Sequence, residues 1–198
     1  MVEVVLFHSV LGLRPGVSEA AERLRAAGHT VHTPDLYRGE ATFDDYKPAM
    51  AFMRAMGTDE LEARTAAAVQ DLPSDIVYVG FSNGGASAEL LAATRPGARG
   101  ALLWHAGMAV AEFGVSDWPG TVGVQVHFSR DDPFRDDEIE TDPFAADVRR
   151  SGASYEFFEY PGSGHLFTDP GLPAEYDAAS AELLYRRSLA FLAGLERD

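Results

Sequence analysis

The stretch Ile76-Val77-Tyr78-Val79-Gly80-Phe81-Ser82-Asn83-Gly84-Gly85, continued by Ala86-Ser87-Ala88-Glu89-Leu90-Leu91-Ala92-Ala93, decides how the chain is read. The apolar, β-branched run predicts a buried strand, and the alanine- and leucine-rich run behind it predicts a helix. Only Gly-x-Ser-x-Gly separates the two. So abrupt a reversal holds its central residue in a strained backbone conformation and leaves no room for β-carbons two positions to either side. The turn lifts the Ser82 hydroxyl above the sheet edge. It also leaves the Asn83 N–H unpaired at a helix N-terminus, where negative charge is stabilised. This combination predicts a nucleophile elbow. The five-residue pattern alone can arise by chance in a chain with 19 Gly, so its neighbours and partners must decide.

Further strands are predicted at 2–8, 29–33, 100–105, 122–128 and 155–160, beside the elbow strand at 76–80. Helices are predicted at 17–27 (Ser18 as N-cap, Gly28 as stop), 43–56, 58–71, 83–94, within 136–151, and at 174–195. Strands alternating with helices imply an α/β fold, a mostly parallel sheet with helices on both faces. Ligands of such sheets bind outside the carboxyl ends of the strands, and Ser82 follows one of those ends. A chain of 198 residues is expected to form a single domain over 1–198. Residues 37–57 carry Tyr37, Phe43, Tyr46, Met50, Phe52, Met53 and Met56 and are expected to wall part of a pocket, although any one of these side chains could be ordinary helix core.

Apolar residues make up 46% of the chain, enough for a core without covalent staples, and there is no cysteine. That excludes a disulfide framework, a thiolate zinc site and a cysteine nucleophile. The net charge of −15 argues against nucleic acid and against an anionic membrane surface. An anionic substrate would need local arginines. Otherwise the acidic excess reads as solvated surface. No apolar run is long enough to cross a membrane, and Met1-Val2-Glu3-Val4-Val5 opens on a strand, not on a charged leader. A cytoplasmic monomer or homodimer is expected.

A serine hydroxyl needs a base, and the base needs an acid to orient it. In the order Ser–acid–His, the acid should follow a later strand, and Ser129-Arg130-Asp131-Asp132-Pro133 does so. Asp132 fits best, with Asp131 the alternative. His165, in Tyr160-Pro161-Gly162-Ser163-Gly164-His165, follows the last strand between glycines and is the candidate base. The oxyanion donors would be the backbone N–H groups of Asn83 and Val10, with Leu11 as the latter's neighbour. His105 could line the pocket, His8 could support its own loop, and His127 reads as a hydrogen-bonded strand residue. His29 and His32 point to opposite strand faces and cannot chelate together. The acidic run 131–142 lacks the central glycine of a calcium loop. Neither metal nor cofactor is expected.

With those residues placed, the chain resembles the dienelactone hydrolase family of α/β-hydrolases along nearly its whole length. The similarity is carried by Phe7-His8-Ser9-Val10-Leu11-Gly12-Leu13, Thr33-Pro34-Asp35-Leu36-Tyr37, the 80–85 elbow, Asp132-Pro133-Phe134 and Gly164-His165-Leu166-Phe167. The resemblance implies a cysteine where Ser82 stands, a glutamate where Ser9 stands, and a substrate-binding arginine where the chain has Asp169. These departures argue against a small anionic lactone. The expected activity is hydrolysis of a small-molecule ester or lactone through an acyl-serine. The alternatives are a non-catalytic ligand-binding protein of this fold, or an acyltransferase using the same residues.

Overall fold

The computed structural model describes residues 1–135 and 143–196. Six strands form one sheet in the order β2-β1-β3-β4-β5-β6, and every neighbouring pair is parallel. The strands are β1 (Glu3–Phe7), β2 (Thr30–His32), β3 (Ile76–Phe81), β4 (Gly100–Trp104), β5 (Gly123–Ser129) and β6 (Tyr155–Tyr160). The helices are α1 (Pro15–Ala26), α2 (Tyr46–Met56), α3 (Thr58–Val69), α4 (Asn83–Thr94), α5 (Pro143–Ser151) and α6 (Ala178–Leu195), with a 3-10 turn at Val110–Phe113.

Alternation along the strands builds two cores. Val4 and Leu6 of β1 and Val77 and Val79 of β3 join Leu24 of α1 and Leu184 of α6 on one face. The intervening Val5, Phe7, Ile76 and Tyr78 meet Val69 of α3, Leu91 of α4 and Phe144 of α5 on the other. A fully parallel sheet buried on both faces is the expected outcome of strands this apolar. The chain leaves β1 toward β2 and then returns to place β3 on the opposite side. The strand order therefore reverses between β1 and β3, and the carboxyl ends there frame a crevice.

Several helix starts differ from the sequence expectation. α1 begins at Pro15, with Arg14 as an extended N-cap, and Ser18 lies inside the helix. Proline at the first helical position needs no N–H acceptor and brings its φ already set, so it overrides the serine signal. α2 begins at Tyr46, three residues later than expected, because the Asp45 side chain caps it by accepting from Lys47 N–H at 2.8 Å. Phe43 is held outside, its N–H donating to Leu11 O at 2.9 Å. α6 likewise starts only after Asp177, which accepts from Ser180 N–H at 2.7 Å. Of the helical segment expected within 136–151, residues 136–142 lie outside the described residues.

Candidate active site

Ser82 follows β3 and is the N-cap of α4, with φ +50° and ψ −117°, a sparsely populated conformation that a non-glycine residue holds only under constraint. The constraint is packing. A β-carbon on Gly80 would overlap Gly84 O, one on Gly84 would overlap His8 O, and one on Gly85 would overlap Ala106 Cβ. The three glycines thus let β3 reverse directly into α4 and press the start of α4 against the end of β1. Ser82 N–H donates to Trp104 O at 2.7 Å, which fixes the turn to β4.

His165 reaches the elbow from the loop after β6. Its Nε2 lies 2.7 Å from Ser82 Oγ, and its Nδ1 lies 2.9 and 2.8 Å from the two carboxylate oxygens of Asp132. Asp132 is buried and Asp131 exposed, so the aspartate whose side chain faces the histidine is Asp132. A carboxylate can only accept here, so Nδ1 carries the proton and Nε2 is left to accept from the Ser82 hydroxyl. Asp132 is itself oriented by Phe134 N–H, which donates to Oδ1 at 2.9 Å. The two loops are tied together where Asp131 N–H donates to Gly162 O at 3.0 Å. Glu175 holds the far side of the histidine loop, accepting from Leu166 N–H at 2.6 Å and from Tyr46 OH at 3.0 Å.

The backbone N–H groups of the loop after β1 differ in whether they find an acceptor. Leu11 N–H donates to Ser9 Oγ at 3.2 Å and Gly12 N–H to Ser9 O at 3.0 Å. Val10 N–H has no acceptor among the described residues. Asn83, the first residue of α4, has an N–H with no acceptor within its own helix. His8 stiffens this loop. Leu36 N–H donates to its Nε2 at 3.0 Å, which leaves Nδ1 as donor to Ser9 O at 2.7 Å. Burial pushes the His8 pKa down, so the imidazole stays neutral.

The side chains of residues 37–57 have different surroundings. Buried Tyr37 and half-buried Phe52 and Phe43 form an aromatic chain packed on the core, edge-on in the first pair and tilted in the second, with ring centroids 4.9 and 5.6 Å apart. Met53 and Gly57 do border a cavity beside Asn83. Tyr46 instead packs near the His165 ring, at 5.9 Å between centroids, and Phe134 packs closer, at 4.6 Å. His105 is buried behind His165, 5.6 Å between centroids, and neither ring nitrogen has a partner among the described residues. Burial, followed by the neighbouring His165 and His127, pushes its pKa well down. His127 is a hydrogen-bonded core residue, with Tyr160 OH 2.8 Å from Nδ1 and Gln125 Oε1 3.0 Å from Nε2.

A family model described as the dienelactone hydrolase family matches residues 2–195. The chain belongs to the dienelactone hydrolase family. No curated protein matches it significantly. Among solved structures it is similar to a dienelactone hydrolase-like promiscuous phosphotriesterase from metagenomic libraries, at 22% identity and TM-score 0.81, covering 98% of this chain and 87% of that one. The protein m3DLH is similar at 24% identity and TM-score 0.81, with 98% and 86% covered. A dienelactone hydrolase from Anabaena variabilis gives 21% identity and TM-score 0.61, with 93% and 84% covered. At these identities the likeness speaks for the fold, an α/β-hydrolase.

The positions at which the resemblance implies other residues have particular neighbours. Ser9 turns its hydroxyl to Leu11 N–H. Asp169 accepts from Arg14 Nε at 2.8 Å, and Arg14 also donates to Phe43 O at 2.7 Å, to Asp44 and to Gly171 O. The sequence offered no sign of that link, because Arg14 and Asp169 are 155 residues apart. Phe134, 48% exposed beside His165, was part of the resemblance alone, with no role in the site expected of it. An aromatic two residues after the acid was its only signal.

Proposed function

We propose that this family member is a serine hydrolase that cleaves a carboxylic ester or lactone through an acyl-serine. The observation that carries the reading is the unbroken relay from Ser82 Oγ through His165 to the buried Asp132, each link at 2.7 to 2.9 Å. His165 Nε2 removes the hydroxyl proton as Ser82 Oγ attacks the carbonyl carbon. Asp132 holds the proton on Nδ1 and stabilises the imidazolium that forms. The N–H groups of Asn83 and Val10 receive the oxyanion. The tetrahedral adduct collapses as His165 returns the proton to the leaving alkoxide oxygen. Water, deprotonated by the same nitrogen, then releases the acid and restores Ser82. No metal or organic cofactor enters these steps. The substrate is a small uncharged molecule, not a nucleic acid or a membrane surface.

The test is steady-state hydrolysis of p-nitrophenyl butyrate with and without Ser82→Ala, together with fluorophosphonate labelling. Turnover lost in the variant, with label on Ser82, supports the reading. Failure of both in the wild type would favour a ligand-binding protein of this fold. Ester formation with added alcohol, outpacing hydrolysis, would make it an acyltransferase.

A further inference from the structure

A cavity of about 360 Å³ opens beside Asn83 and follows α4 past Ala86 and Ser87 to Leu90. From Asn83 to Leu90 the helix rises about 10 Å at ~1.5 Å per residue, so the space leads away from the nucleophile along one helix. Met53 and Leu61 from the α2–α3 corner form the opposite wall. The buried hydroxyls Thr65 and Ser87, also in the lining, partner each other at 3.1 Å, which leaves the interior mainly apolar. Charge is confined to exposed residues of the lining, where Glu62 and Glu112 outnumber Arg54. In a chain of net charge −15, such a mouth disfavours a carboxylate. The volume is near the lower bound of ligand pockets, about 300–1,000 Å³, suited to a medium-length chain or a single ring.

Which half of an ester enters is set by proton transfer. The leaving oxygen must lie within hydrogen-bond reach of His165 Nε2. Among the described residues, none from the His165 or Asp132 loops lines the cavity; it meets the site at Asn83, next in sequence to the nucleophile. We propose that this cavity is the acyl pocket and that it selects uncharged, apolar acyl groups of medium length. The proposal rests on the ester-hydrolase reading above.

Two ester series test it: p-nitrophenyl esters from acetate to dodecanoate, and acetates of alcohols of rising length. Both are run on the wild type, on Leu90→Trp and, from the facing wall, on Leu61→Phe, with melting curves to confirm folding. The wild type should prefer hexanoate and octanoate to acetate in kcat/KM and fall off at dodecanoate. Leu90→Trp should lower the octanoate-to-acetate ratio by about tenfold or more, the scale of discrimination expected from a hydrophobic pocket, without a matching change along the alcohol series. A wild-type rate that declines steadily from acetate would overturn the proposal even if neither variant folds. So would a penalty that tracks the alcohol. A wild type inactive on every ester, and unlabelled by fluorophosphonate, would remove the hydrolase reading itself and the pocket's role with it.

Discussion

Ser82 holds a backbone conformation that costs on the order of 1–3 kcal/mol, and Gly80, Gly84 and Gly85 are the residues that make it attainable. Because a β-carbon on Gly84 would strike the His8 and Phe7 carbonyl oxygens, Gly84→Ala must push α4 away from β1. The expected result is a melting temperature several degrees lower and loss of ester turnover, whereas Gly39→Ala, strained by its φ of +76° but with nothing near its β-carbon, should lower the melting temperature and keep turnover. At the acid, Asp132→Asn should reduce kcat about 10³- to 10⁴-fold by favouring the wrong imidazole tautomer. Asp131→Asn, on an exposed turn, should leave kcat within about twofold, as remote surface changes do; equal losses in the two variants would contradict the assignment. These positions were readable in the sequence because each is written into a local turn pattern. Asp169 was not: read alone it is a carboxylate where the resemblance implies an arginine, and only the fold brings Arg14 to it.

Among the elements, the carboxyl ends of the central strands carry three buried imidazoles: His8 after β1, His105 after β4 and His127 within β5. Burial lowers the pKa of all three, that of His127 to about 3. An unfolded chain takes up these protons near pH 6.5 while the folded one does not. Stability is therefore full above about 6.5 and declines as pH falls from there toward the folded-state values, each group adding up to about 1.4 kcal/mol per pH unit. Urea melts between pH 7.5 and 5 should show this decline, with a shallower slope in His127→Gln; a flat profile would contradict it. Element identities were legible because apolar periodicity and glycine punctuation are local. Helix starts were less so. Pro15 displaced the signal from Ser18, and Phe43 was drawn out of α2 by a hydrogen bond to Leu11 across the fold.

For the whole molecule, the parallel sheet places β1, β3 and the β5 and β6 loops so that residues 8–11, 82–83, 132 and 165 converge at one edge. The α/β architecture could be anticipated from the alternation of strands and helices. The cavity along α4 could not, since it is bounded by the α2–α3 corner and the 3-10 turn, segments without any shared sequence pattern. Residues 37–57 looked like a wall because they are rich in Met and aromatics, yet Tyr37 is buried in the core and the other six side chains pack half-buried against it. The central claim is that Ser82 becomes acylated. Intact-protein and peptide mass spectrometry after rapid mixing with p-nitrophenyl butyrate, quenched in acid, tests it most directly. The account predicts one butyryl group on the peptide carrying Ser82, formed at the rate of the p-nitrophenol burst and absent from Ser82→Ala. Turnover that persists in Ser82→Ala, or an acyl group on any other residue, would contradict it.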